Sequence, residues 1–422
     1  MRWECRAGLS CAWGTVRGAM ISDKDLSNSA TGARTQLVLG TVSFTLCFAA
    51  WGMVSAFAPA FRTELRLTAT QTSFLVAVPV LLGALARIPM GLLTDRYGGR
   101  KIFTILFVIS AGALALVASS RTYGQLLASG FLLGISGSSF AIGVAYVSKW
   151  FSAARQGTAL GVYGLGTGGQ SLAVFLGPVL AESFGRNGVY LLLTGVLLVW
   201  AVLFAAGARN ATPQASETSL RPLLRILVTE RLSWVLALFY FLTFGGFVAF
   251  SIYMPVLLRD QFGLTPRDAG LRVAIFVVVA VLMRVAGGVL ADRFGGARVL
   301  NVVFLGLVSL GMGLVVKSPL AFTVLGLACA ILLGLGNGAV FKLVPQFFPG
   351  NTGTVTGLVG AAGGLGGFFP PLVLGVLRDR TGSVWIGFVL LAATALTMWA
   401  LNARVFLRLR PPAEIPDRLA IT

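Results

Sequence analysis

No histidine occurs among the 422 residues, and aspartate and glutamate together number 14 against 33 lysines and arginines, a formal net charge of +19. The first absence removes the commonest metal ligand and the commonest proton shuttle. Charged residues of all kinds make up 11% of the chain, where a soluble globular domain carries about 25%, so a water-soluble enzyme is excluded at the outset. Cysteine is nearly as scarce. Cys5, Cys11, Cys47 and Cys329 have neither zinc-like nor redox spacing; two lie in the N-terminal tail and two inside apolar runs, so a disulfide framework is not expected. No metal cluster, nucleophile–base pair or phosphate loop is present. The run Gly164-Leu-Gly-Thr-Gly-Gly169 mimics a dinucleotide fingerprint but lies inside an apolar span with no strand before it. No enzyme, cofactor or metal is expected.

What the chain has is apolar length. Hydrophobic residues reach 56%, glycine 53 residues, and the mean hydropathy is +0.87. Long apolar runs fall at 37–60, 70–93, 102–118, 125–147, 157–180 and 189–206, then at 232–257, 270–290, 299–316, 320–341, 352–377 and 384–407. Each is close to the ~20 residues that cross a bilayer. The expected fold is therefore an all-α membrane protein of 12 transmembrane helices. Its parts are an irregular, polar tail (1–36, with Met20 as an alternative start), a six-helix bundle (37–206), a linker (207–231), a second bundle (232–407) and a tail (408–422). The first apolar run is long enough to be a span, so a cleaved signal peptide is not indicated.

Lysines and arginines sort by side. The tails and the even-numbered connections (2–3, 4–5 and so on) hold 21 and the other connections hold 10, which predicts cytoplasmic termini in a multi-pass plasma (cell inner) membrane protein. The basic excess thus answers to the lipid bilayer and not to nucleic acid. A monomer is expected.

The halves repeat. Arg87-Ile-Pro-Met-Gly-Leu-Leu-Thr-Asp95-Arg96-Tyr-Gly-Gly99 closes span 2, and Arg284-Val-Ala-Gly-Gly-Val-Leu-Ala-Asp292-Arg293-Phe-Gly-Gly296 closes span 8, shifted by 197 positions. Gly157, Gly161 and Gly164 of span 5 return as Gly353, Gly357 and Gly360 of span 11, shifted by 196. Two related bundles are the arrangement of a transporter with its site between them.

Arg87 and Arg284 stand eight residues before the aspartate at the cytoplasmic edge, about 12 Å deeper at 1.5 Å per residue, which is close to the middle of a ~30 Å hydrocarbon core. An arginine there costs about 2.5 kcal/mol or more unless paired or hydrated. All 14 acids fall in tails, loops or span ends. Snorkelling to the interface is the alternative, but two unpaired guanidiniums at matching repeat positions point to a substrate anion held between two forks. A planar oxyanion suits them.

The segment Gly91 to Lys101, with Asp95, Arg96 and Arg100, resembles the loop 2–3 signature of the major facilitator superfamily, and Gly288 to Arg298, with Asp292 and Arg293, repeats it in degenerate form. An ordinary positive-inside loop is the alternative to a conformational latch. The glycine clusters 161–169 and 357–367 serve close helix packing and also let backbone approach a small ligand. Two stretches are more specific: Gly134-Ile-Ser-Gly137-Ser-Ser-Phe140-Ala-Ile-Gly143 with Val147-Ser-Lys-Trp150-Phe151 and Gln156-Gly157, and Gly336-Asn337-Gly338-Ala-Val-Phe341-Lys342-Leu-Val-Pro345 with Phe368-Phe369-Pro370-Pro371. They resemble the nitrate/nitrite porter family of that superfamily over residues 35 to 407.

The resemblance implies nitrate and nitrite as substrates, a clamp formed by Arg87 and Arg284, and aromatic site walls at Phe140, Tyr240 and Phe244. Residues 240 and 244 share a helix face. Gly164, Thr167 and Gly363 join the candidate site, with Asn337 as a secondary member. The family usually has asparagine where this chain has Thr167. Lys342 either marks the end of span 10 or adds an anion contact in the exit path. With no protonatable group at the site, exchange of nitrate for nitrite is favoured. Proton–nitrate symport, a porter for another small oxyanion, and a non-transporting anion receptor are the alternatives.

Overall fold

The computed structural model describes residues 23–151, 153–211, 230–316, 318–348 and 352–406, which are helical apart from short connections. Cys5, Cys11, Met20, the linker from 212 to 229 and the tail after 406 lie outside the described residues. The apolar runs form α1 (Gly32–Leu65), α2 (Ala69–Tyr97), α3 (Gly99–Ser119), α4 (Tyr123–Ser148), the single run Ala159–Gly207, then α7 (Arg231–Phe262), α8 (Pro266–Phe294), α9 (Gly296–Gly313), α10 (Pro319–Val344), α11 (Val355–Thr381) and α12 (Trp385–Val405). These are 11 helices of membrane-crossing length among the described residues. The twelfth is inside the run Ala159–Gly207. Gly185 has φ 67° and ψ 163°, which divides it into α5 (to residue 184) and α6 (from 186). Unbroken, 49 residues would extend ~74 Å, more than twice the hydrocarbon core.

One boundary differs from the sequence reading. The helix that contains α1 begins at Asp23, within the stretch read as irregular tail. Once a helix is nucleated each further residue adds one hydrogen bond, so a polar segment extends it although nothing apolar marks it.

The repeat reappears in the turns. The residues with positive φ are Arg66, Gly98, Gly185, Gly263, Gly295 and Gly382, and they form three pairs shifted by 197. Gly98 (φ 84°) and Gly295 (φ 89°) end α2 and α8, a conformation glycine adopts without the Cβ penalty. Helix starts correspond as well. Thr68 accepts from the Gln71 N–H as Thr265 accepts from the Asp268 N–H, each satisfying a free N–H of a first helical turn.

Helices α1–α6 make one half and α7–α12 the other, and they meet through α2 with α11, α5 with α8, and α1 with α7. Call the side carrying the linker and the Asp95 and Asp292 turns the linker face. On the opposite face the halves are in backbone contact: a Cβ on Gly270 of α8 would strike the Val174 carbonyl of α5, and one on Gly375 of α11 would strike Ser73 of α2. Nearer the linker face, a Cβ on Gly161 or Gly164 of α5, or on Gly357 of α11, would meet nothing within 4 Å. The halves converge on the opposite face and part toward the linker face.

Candidate functional site

Arg87 stands where α2 is interrupted: one segment ends at Leu85, Ala86 forms the joint, and Arg87 opens the next. The side chain crosses to the other half. It is 8% exposed, and its Nη1 donates to the Gly360 carbonyl of α11 at 2.6 Å. Its Nε has no hydrogen-bond partner. The approach depends on glycine. A Cβ at Gly364 would lie 2.8 Å from the Ala84 Cβ and 3.3 Å from Arg87 Nη1.

Arg284 faces it from α8, and one aromatic ring serves both. The Phe140 centroid is 5.4 Å from the Arg87 guanidinium carbon and 5.9 Å from that of Arg284. Phe244 lies 5.4 Å from Arg87, and Phe341 lies 5.3 Å from Arg284. Tyr240 completes the wall, stacked on Phe244 at 5.0 Å with a 5° interplanar angle and edge-on to Phe341 at 4.8 Å. Ring faces carry negative charge toward a cation and hold it in place without cancelling its charge. Among the described residues no carboxylate pairs with either arginine. Asp95 is taken by Lys149, Asp292 by Lys342, Asp260 by Arg62 and Arg378, and Glu64 by Arg186.

The structure therefore brings together Arg87, Arg284, Phe140, Tyr240 and Phe244. The other site candidates play different parts. Gly363 is filled by the Tyr240 ring, which a Cβ there would strike, so its service is to seat the tyrosine. The Thr167 hydroxyl donates to the Gly164 carbonyl of its own helix at 2.8 Å, leaving only acceptor capacity, which does not attract an anion. Gly164 fronts open space. Asn337 is buried at 3% exposure with its Oδ1 unpartnered, one turn before Phe341 on the same face of α10.

Phe341 was missed as a site residue. Its signal was its place in the motif one turn beyond Asn337, against a background of 30 phenylalanines.

The candidate gating residues act inside their own halves. Asp95 pairs with Lys149 at 2.7 Å and Asp292 with Lys342 at 2.5 Å, so Lys342 marks the linker-face end of α10. Arg96 lies over Tyr97 and Arg293 over Phe294, each at 5.2 Å. Arg100 binds the end of α6, through its backbone N–H to Asn210 Oδ1 at 3.0 Å and its Nε to the Ala205 carbonyl at 2.8 Å. Ion pairs between halves, among the described residues, lie only on the opposite face.

Comparison with known proteins adds the following. The family model described as Major Facilitator Superfamily matches residues 40–371 and 262–420. A relative from Bacillus subtilis, the "Nitrite extrusion protein", is 38% identical over 370 residues, covering 87% of this chain and 93% of its own length. One from Mycobacterium tuberculosis, "Probable nitrate/nitrite transporter NarK2", is 36% identical over 388 residues, covering 88% and 97%. Among solved structures, a bacterial homologue of the human lysosomal transporter Spinster, in an inward-facing and occupied conformation, superposes with a TM-score of 0.73 at 15% identity, covering 90% of this chain and 98% of the other. That last likeness concerns the fold.

Proposed function

The chain belongs to the nitrate/nitrite porter family of the Major Facilitator Superfamily, a membrane transporter and not an enzyme, and we propose that it carries nitrate and nitrite across the plasma membrane by alternating access. The observation that carries this reading is the pair of guanidiniums, one from each half, both within 6 Å of the Phe140 ring and, among the described residues, without a carboxylate partner. A planar oxyanion between them accepts a fork from each side and neutralises charge that otherwise sits at membrane depth.

The anion is also what lets the halves move together. Empty, the two cations repel; filled, they are drawn to one ligand. Passage from one facing to the other is therefore cheapest with an anion bound in both directions, which supports exchange of nitrate for nitrite. The absence of histidine from the chain and, among the described residues, of a carboxylate beside the arginines supports exchange over proton symport. The linker face is the cytoplasmic face in this reading, as the 21 lysines and arginines against 10 require, and the parted linker-face halves describe an inward-facing state. Asp95–Lys149 and Asp292–Lys342 brace the ends of α2 and α8 in that state.

Counterflow in proteoliposomes tests it. Vesicles loaded with nitrite should take up labelled nitrate, uptake should fall to background without internal anion, and a pH gradient alone should drive none. Uptake of neither anion would rule out the reading. Uptake driven by a pH gradient with empty vesicles would replace exchange by symport.

A further inference from the structure

On the face opposite the linker, two arginines share one carboxylate oxygen. Asp260 Oδ2, at the end of α7, is bound by Arg62 Nη1 from the end of α1 and by Arg378 Nη1, at 2.8 Å, from the end of α11. Beside it the Asp379 carboxylate accepts the first N–H groups of α2, Ala69 at 3.0 Å and Thr70 at 2.7 Å. All these bonds except Arg378–Asp260 cross between the halves. They form the closure that any outward opening must break.

The partners separate unequally. Asp260 and Arg378 both belong to the C-terminal half and leave together. Arg62 belongs to the N-terminal half, where the neighbouring Glu64 is already bound by Arg186. Opening therefore strands one guanidinium at the rim, and its side chain, 24% exposed even when closed, is within reach of water. A carboxylate and a small inorganic oxyanion present the same pair of oxygens to a guanidinium.

We propose that Arg62 is a second anion site, on the outer face, whose ligand in the closed state is the chain's own Asp260, the carboxylate that Arg378 keeps when the halves part. An external oxyanion of the transported class replaces Asp260 at Arg62 and so favours opening. This rests on the reading of the chain as a porter of small oxyanions. Because the anion binds only the open form at Arg62, the open-to-closed ratio rises by the factor 1 + [anion]/Kd, about elevenfold at ten times Kd. The outer site thus couples outside anion to outward opening before the anion reaches Arg87 and Arg284.

The test reads opening directly. Ser73 is fully buried and packs against Gly375 of the other half, so the full chain carrying Ser73→Cys reports separation of the halves by its rate of labelling with a membrane-impermeant maleimide, in spheroplasts, over the background of the parent chain. Asp260→Asn should raise that rate several-fold without nitrate. The conservative Asp260→Glu, which keeps a carboxylate for Arg62 and Arg378, should leave it near the parent value, which separates loss of the pairing from misfolding. With the central site disabled by Arg87→Gln, sodium nitrate should still speed labelling relative to sodium gluconate at equal ionic strength. Adding Arg62→Gln should abolish the difference.

Labelling of Asp260→Asn no faster than the parent overturns the closure. Equal labelling in nitrate and gluconate in the Arg87→Gln chain overturns the anion site while leaving counterflow, and the transport reading, intact. Nitrate-dependent labelling without any counterflow would overturn transport and leave the outer site standing.

Discussion

Arg87 divides its donors between the protein and the space beside it: Nη1 is bound to the Gly360 carbonyl and Nε has no partner. Lysine cannot do both, being a single point charge on a flexible stem. Arg87→Lys should therefore lower nitrate counterflow at least tenfold, ~1.4 kcal/mol, with an unchanged elution profile in detergent. Among the described residues Phe140 is the one ring shared by both guanidiniums, and each such contact contributes ~0.5–2 kcal/mol. Phe140→Leu should lower the Tm of the anion-free protein and enlarge the rise in Tm that nitrate produces, a pair of shifts measurable by thermal unfolding. Arg87 and Arg284 were legible in the sequence because an unpaired charge at membrane depth is costly whatever surrounds it. Phe341 was not, since an aromatic ring costs nothing in an apolar span. The direction of the Thr167 hydroxyl was not legible either, because it depends on a 3-10 turn over Leu165–Gly168 that exposes the Gly164 carbonyl to it.

At the scale of elements, α11 shows why its glycines are not equivalent. A Cβ at Gly364 would press on Ala84 and Arg87, whereas one at Gly357 would meet nothing within 4 Å. Gly364→Ala should cost ~1–3 kcal/mol through overpacking and depress counterflow with it. Gly357→Ala should preserve folding and gain up to ~1 kcal/mol from helix propensity, both read from thermal unfolding. The turns give a matching contrast. Arg66 (φ 51°) occupies the position at which the second half has Gly263, and a left-handed conformation costs a side chain ~1–2 kcal/mol. Arg66→Gly should therefore raise the Tm. The helices themselves followed from apolar length, including the division between α5 and α6 that separates the runs 157–180 and 189–206; the backbone angle at Gly185 fixes where it falls.

For the whole molecule, the two halves are built alike but are held asymmetrically, tied across the opposite face by Asp260 and Asp379 and parted near the linker. Cysteine in place of Gly357 should accordingly react with an impermeant maleimide from the linker face and not from the other in the anion-free protein, and Ser73→Cys should resist labelling from both. Reversal of that pattern would mean that the resting protein opens outward. The sequence by itself determined the class of protein, the twelve crossings, the twofold repeat, the sidedness of charge and the two central arginines. Each follows from a cost that the bilayer imposes residue by residue: apolar length, an excluded charge, a cation drawn to an anionic surface. Only the tertiary structure decided that Phe140 lies within 6 Å of both arginines, that Asp95 and Asp292 are spent on Lys149 and Lys342, and that Asp260 joins Arg62 to Arg378. The longest of those pairings, Arg62 with Asp260, links residues 198 positions apart along the chain, and no local cost selects among partners that helix packing alone brings together.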